Sequence, residues 1–135
     1  MNNIRTQITK QSIAILQYNL NKNKTTTYSV LNHPDSNRFA VIMLQEQYWS
    51  KYTKSSLTHH SWTLIEPTHK SNAHLRAAIY VNNSIISALS YETIYIPSSD
   101  ATAISIKLQN SEPMLLINIY NAKNSNLIAE ICPYI

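Results

Sequence analysis

Glycine is absent from all 135 residues of this chain; at the usual ~7% it would hold roughly nine. Without glycine there is no Gly-rich phosphate loop, which excludes a nucleotide cofactor held in the P-loop or Rossmann manner. Turns that need a positive φ fall to Asn or Asp, the residues that tolerate that region next best; Asn23, Asn82-Asn83 and Asn110 stand where such turns are expected. Cysteine is nearly absent too. Cys132 stands alone, so no internal disulfide can form and a reducing compartment is favoured. The polar start, MNNIRTQITKQ, lacks the apolar stretch of a secretory signal. The expected location is nuclear or cytoplasmic, not secreted. No apolar run approaches the ~18 residues of a membrane span. Charge is scarce: Asp, Glu, Lys and Arg make up 13% of the chain, about half the usual share of ~25%. The net charge of +4 is compatible with nucleic acid but is also common in chains that bind none.

Hydrophobic residues make up 44% of the sequence, enough for the core of one modest domain. Residues 1–11 read as a loose segment and residues 12–135 as the domain. Ser12–Tyr18 reads as a buried strand, and Lys22–Leu31 as weakly helical, with Thr25–Thr27 opposing a long helix. Pro34 makes His33-Pro34-Asp35 a turn. Phe39–Leu44 is a continuous apolar run, the pattern of a strand covered on both faces. Tyr48–His60 reads as a polar, aromatic loop. Trp62–Glu66 and Arg76–Val81 are strands, and one or two short strands are expected within Ile85–Ile96. Ala101–Leu108 alternates like a half-exposed strand, and Met114–Tyr120 is its partner. Ser125 is placed to cap a short helix through Leu127, Ile128 and Ile131.

Three apolar strands deliver polar groups at their carboxyl ends: ILQYNLNK (Ile15–Lys22), VIMLQEQYWS (Val41–Ser50) and LLINIYNAKNS (Leu115–Ser125). That arrangement describes a site at one rim of a sheet. Glu46 is the sharpest residue, a carboxylate fixed at the end of a buried strand. Mg²⁺ takes one or two such carboxylates, keeps several waters and adds substrate phosphate oxygens. A strand-end carboxylate that merely accepts main-chain N–H groups reads the same way. Asn19 and Asn21 are two apart, so on an extended backbone both point to one side. Each suits a metal-bound water, a phosphate oxygen or plain turn chemistry. Arg76 opens a strand that can face the rim. Tyr48 and Tyr52, beside Lys51 and Lys54, suit a nucleic-acid rim, whereas Trp49 and Trp62 read as core. His59-His60 are adjacent and lack a close Cys or carboxylate, so they do not make a zinc set; His60 reads as a phosphate contact if its loop lies near DNA.

Together these stretches, with YTKSSLTHHSWTLIEP (Tyr52–Pro67) and RAAIYVNN (Arg76–Asn83), resemble the endonuclease/exonuclease/phosphatase superfamily. The wording is most similar to the endonuclease domain of fungal non-LTR retrotransposons, from about Ile13 to Ile131. The resemblance implies an α/β fold, the amino-terminal half of a four-layer DNase I-like sandwich with mainly antiparallel or mixed sheets and one or two flanking helices. It implies that Asn19 contacts the reacting phosphate, that Asn21 helps order the metal, that Glu46 is the principal Mg²⁺ ligand (Mn²⁺ as substitute), and that Tyr120 hydrogen-bonds the scissile phosphate. The family often follows that tyrosine with proline and asparagine. Here Ala122 replaces the proline, and the asparagine is either Asn121 or Asn124.

The family completes its site with Gly-Asp-x-Asn and Ser-Asp-His motifs. The first needs a glycine, and no Asp-His pair occurs. Those motifs supply the water-orienting aspartate and the phosphate-pairing histidine. The expectation is a truncated relic of a Mg²⁺-dependent DNA endonuclease, binding DNA weakly and not competent alone. Half a sandwich is further expected to leave an inner sheet face uncovered and to self-associate. A non-catalytic nucleic-acid-binding module using the basic loop 51–70 is the alternative.

Overall fold

A computed structural model describes residues 12–68, 74–120 and 126–134. The amino-terminal residues 1–11, Lys70, Asn121, Asn124 and Ser125 lie outside the described residues.

The first sheet is mixed. Its strands are β1 (Ile15–Asn19), β2 (Val41–Gln45), β5 (Trp62–Ile65) and β6 (Ala77–Asn82), in the order β1-β2-β6-β5. β1 and β2 run parallel, with Asn19 beside Gln45, so a crossover must join them. Helix α1 (Lys24–Asn32) makes it, followed by a 3-10 turn over Pro34–Arg38. The Asn23 side chain starts α1 by accepting the Thr26 N–H, a normal N-cap bond. β2 and β6 are antiparallel, with Gln45 opposite Ala77.

The second sheet is antiparallel: β7 (Tyr91–Ile94), β8 (Ala101–Ile106) and β9 (Met114–Ile119) in sequence order. A two-residue pair, β3 (Trp49–Ser50) with β4 (Ser55–Ser56), gives hairpin structure where a loop was expected. Hydrophobic periodicity cannot reveal strands of two residues.

The two sheets pack face to face. Val41, Ile65, Ile79 and Val81 from the first meet Ile104, Ile106 and Leu116 from the second in one core. α1 covers the outer face of the first sheet, placing Leu31 against Ile42, Leu44, Ala78 and Tyr80. A short helix, α2 (Leu127–Ile131), covers the outer face of the second through Leu127 and Ile131 on Ala101 and Ala103. The result is a helix–sheet–sheet–helix stack. The expectation of an uncovered inner face is therefore corrected, because β7-β8-β9 supplies the partner layer. The same packing corrects β8: the expected half-exposed strand is buried along most of its length, since α2 lies over the side that alternation left open. Asn126 precedes α2 and makes no side-chain capping bond.

The glycine-free backbone enters the left-handed region at Asn21, Lys22, Glu46, Lys54 and Asn110. Asn110 was expected. Asn23 and Asn82-Asn83 do not do so, and Lys and Glu take positions that local preference would give to Asn or Asp. Among the described residues no helix is long and apolar enough to cross a membrane.

Candidate functional site

Strand directions gather one rim. Parallel β1 and β2 bring Asn19 and Glu46 to the same end, and the antiparallel partner β6 begins there, so the Glu46 N–H donates to the Arg76 carbonyl at 2.9 Å. In the second sheet β8 begins at this end and β9 finishes there, and the Tyr120 N–H donates to the Asp100 carbonyl at 2.9 Å. Asn19, Glu46, Arg76, Asp100 and Tyr120 thus share a rim fed by both sheets.

Buried polar side chains fix the sheets' relative position. Asn118, fully buried, donates from Nδ2 to the carbonyls of Leu44 and Ala78, each at 2.8 Å. Gln45 Nε2 donates to the Ile119 carbonyl at 2.5 Å and to Asn118 Oδ1 at 3.3 Å. Thr102 Oγ1 donates to the Ala77 carbonyl at 2.8 Å. Each of these bonds crosses between the sheets one or two residues below the rim.

Glu46 has φ 49° and is half-buried. Its carbonyl accepts the Lys22 N–H at 2.6 Å, so main-chain bonds hold it on both sides. The left-handed turn at Glu46 ends the β2 alternation. Next to it, Gln47 is fully buried, donating from Nε2 to Ser56 Oγ at 3.0 Å and to the Leu75 carbonyl at 2.9 Å. These bonds tie the β3–β4 hairpin to the same end of the sheet.

The Tyr120 phenol is held above its ordinary pKa, first by its hydrogen bond to Glu46, then by burial and by the Glu46 charge; Arg76 opposes the shift. The phenol therefore stays neutral and can donate at physiological pH. The Arg76 guanidinium lies 4.5 Å from the Tyr120 ring centroid and forms a fork with Asp100, Nε to Oδ1 and Nη2 to Oδ2, both at 3.1 Å. Arg76 thus reaches the rim as expected, but Asp100 occupies two of its donors.

Asn19 Oδ1 accepts the Asn21 N–H at 3.0 Å, which is turn chemistry. β1 ends at Asn19 and Asn21 lies beyond it with φ 49°, so the same-side argument for the two asparagines does not apply. Lys51 and Lys54 are exposed on the β3–β4 turn, with the Lys51 ammonium 5.4 Å from the Tyr52 ring centroid. His60 lies elsewhere. It precedes β5, whose Trp62 pairs with Asn82 at the far end of β6, about 17 Å from the rim by strand rise. It stacks on His59 with ring centroids 4.4 Å apart, and His59 bonds Asn32 at 3.1 Å. Trp62 is core, its Nε1 donating to the Leu31 carbonyl at 3.0 Å.

Asp100 and His74 escaped the sequence reading. Asp100 follows Pro97-Ser98-Ser99 and looks like a turn residue; only the pairing of β8 with β9 brings it opposite Tyr120. His74 packs on Trp49 with ring centroids 5.7 Å apart. Its pKa is lowered chiefly by burial and then by the Lys22 charge, with Arg76 adding to the shift and Gln47 and Glu46 opposing it. It is a neutral ring near neutral pH.

Among the described residues no group of three or more His, Cys, Asp or Glu is arranged to hold a metal ion. The oxygen donors at the rim are the Glu46 carboxylate and the Asp100 carboxylate, the latter paired with Arg76, with neighbouring amide and phenol oxygens. This set fits Mg²⁺ in its usual mode, with water and phosphate oxygens filling the remaining positions. It does not fit a zinc centre.

The helix–sheet–sheet–helix sandwich is a DNase I-like fold. The endonuclease domain of TRAS1, a telomere-specific non-LTR retrotransposon, aligns with this chain at a TM-score of 0.61 and 16% sequence identity. The alignment covers 87% of this chain and 48% of that one, so the chain spans about half the length of the domain it matches. No protein-family model matches the sequence, and no curated protein does. The α/β, DNase I-like fold that the family resemblance implies is thus the fold observed.

Proposed function

We propose that this chain carries the amino-terminal portion of a Mg²⁺-dependent endonuclease site acting on a DNA phosphodiester, of the kind that nicks target DNA for a retrotransposon. Glu46 would hold the metal and Tyr120 would donate to the phosphate. The Asn19 oxygen is occupied within its turn, which leaves its amide N–H groups to meet an anion. Asn21, Asn121 and Asn124 are assigned subsidiary metal and phosphate contacts by resemblance alone. The metal's chemistry is to neutralise charge building on the phosphate oxygens. The observation that carries the reading is the approach of Glu46 and Tyr120 from opposite sheets at one rim.

The chain's own residues bind and orient, and among the described residues neither rim carboxylate is a free general base. Glu46 is the metal ligand in this reading, and Asp100 is paired with Arg76. These 135 residues by themselves are accordingly proposed to lack efficient hydrolysis. Lys51, Lys54 and the 86%-exposed Tyr52 favour a second, compatible reading, a nucleic-acid contact along the hairpin, with or without cleavage.

A Mn²⁺ titration followed by paramagnetic NMR broadening tests the metal assignment. Broadening is expected at Glu46, Asn19 and Tyr120, with weak affinity, Kd on the order of 10⁻⁴–10⁻³ M or poorer as for sparse oxygen-ligand sites. Glu46→Gln should abolish it. Broadening centred on Glu112 or Glu130 would refute the reading. Asp100 is close enough to the rim to broaden in either case.

A further inference from the structure

We infer that the Arg76–Asp100 pair is a positioning latch, joining the two sheets at the rim and setting the Tyr120 ring against Glu46. The inference rests on the reading of Glu46 and Tyr120 as the site. Arg76 immediately precedes β6 in the first sheet and Asp100 immediately precedes β8 in the second. Each uses its main chain to hold a site residue: the Arg76 carbonyl receives the Glu46 N–H, and the Asp100 carbonyl receives the Tyr120 N–H. Each uses its side chain to hold the other. Glu46 is also the main influence on the Tyr120 phenol, so the four residues lie together across both sheets.

A fork with two parallel bonds fixes the plane of a guanidinium as well as its distance. The guanidinium carbon stands 4.5 Å from the Tyr120 ring centroid, within the range of a cation–π contact. The ion pair therefore determines where the ring lies as well as how far apart the sheets sit. The fork that could have met a phosphate is taken by Asp100, so Arg76 acts through Tyr120 and is a positioning residue. Lysine cannot replace it, because an ammonium is a point charge without a fork or a stacking plane.

The test is NMR on the whole chain with labelled tyrosine and arginine. In the native protein the Tyr120 ring should show proton–proton contacts to the Arg76 methylenes and to Glu46, and the Arg76 Nε–H should exchange slowly and be shifted upfield by the ring. Asp100→Asn and Arg76→Lys should each lose the Tyr120–Glu46 contacts, while contacts between Tyr80 and Leu57 persist and report an intact core. Retention of the Tyr120–Glu46 contacts in both folded variants would overturn the latch. So would a fast-exchanging, unshifted Nε–H in the native protein, which requires no variant. The readout is independent of metal: absent Mn²⁺ broadening defeats the proposed function and leaves these contacts measurable, whereas loss of the latch alone leaves the Mn²⁺ site at Glu46.

Discussion

Glu46 combines a left-handed backbone with the side chain proposed to hold the metal. A φ of 49° costs a residue with a Cβ about 1–2 kcal/mol relative to glycine, and here the strain sits at the proposed metal ligand. Glu46→Gly should therefore be more stable than Glu46→Ala by about 1 kcal/mol in urea denaturation, the reverse of the order expected in a regular strand. Equal stabilities would show that the turn relaxes when the carboxylate is removed. At Tyr120 the raised pKa has a defined sign. The folded phenol binds its proton more tightly than the unfolded one, so this contribution to stability is complete below the ordinary tyrosine value of 10.0 and is lost as pH rises through the folded value. Phenolate absorbance or tyrosine NMR should place the Tyr120 midpoint above 10.0, and Glu46→Gln should bring it down. A midpoint unmoved by Glu46→Gln would separate the two groups.

At the scale of elements, β2, β6, β8 and β9 were legible because apolar runs bounded by turn residues give strands a clear signature. Their pairing was not, since nothing local states that Asn118 on β9 donates to Leu44 and Ala78 across the core. In the sequence, Asn118 is one polar residue within an apolar run. Asn118→Ala would strip a partner from two buried carbonyls and should cost about 2–6 kcal/mol at ~1–3 per unsatisfied group, measurable by chemical denaturation. A loss below about 0.5 kcal/mol would mean water replaces the amide. Glu46 and Tyr120 were found because strand ends have a direction in sequence. Asp100 was hidden because a residue before a strand gains its neighbours only from the sheet. His60 misled for the related reason that its loop opens β5 at the opposite end from Glu46, a fact fixed by antiparallel pairing with β6.

For the whole molecule, the stack of two helices around two facing sheets changes the expected solution behaviour. One core draws residues from both sheets, so they should melt together. Trp62 fluorescence and far-UV circular dichroism should give coincident transitions, whereas separate midpoints would show that the sheets fold independently. Catalysis should not follow from that integrity. Purified chain with Mg²⁺ should nick supercoiled plasmid no faster than Glu46→Ala, because general-base assistance is typically worth ~10²–10⁴-fold and neither described rim carboxylate is free to supply it. Robust nicking abolished by Glu46→Ala would reveal a base outside the residues discussed.

The missing glycines also act on the chain before it folds. Glycine contributes the widest conformational freedom to an unfolded ensemble, and each replacement by another residue narrows that ensemble by an equivalent of about 0.4–1 kcal/mol where the native angles permit. At most positions this chain meets that condition. Among the described residues it does not do so at Asn21, Lys22, Glu46, Lys54 and Asn110. The protein therefore gains from a stiff denatured state and returns part of that gain at these left-handed positions. Glycine placed at Lys54, remote from the buried core, should stabilise the fold, while alanine-to-glycine changes within β6 should weaken it.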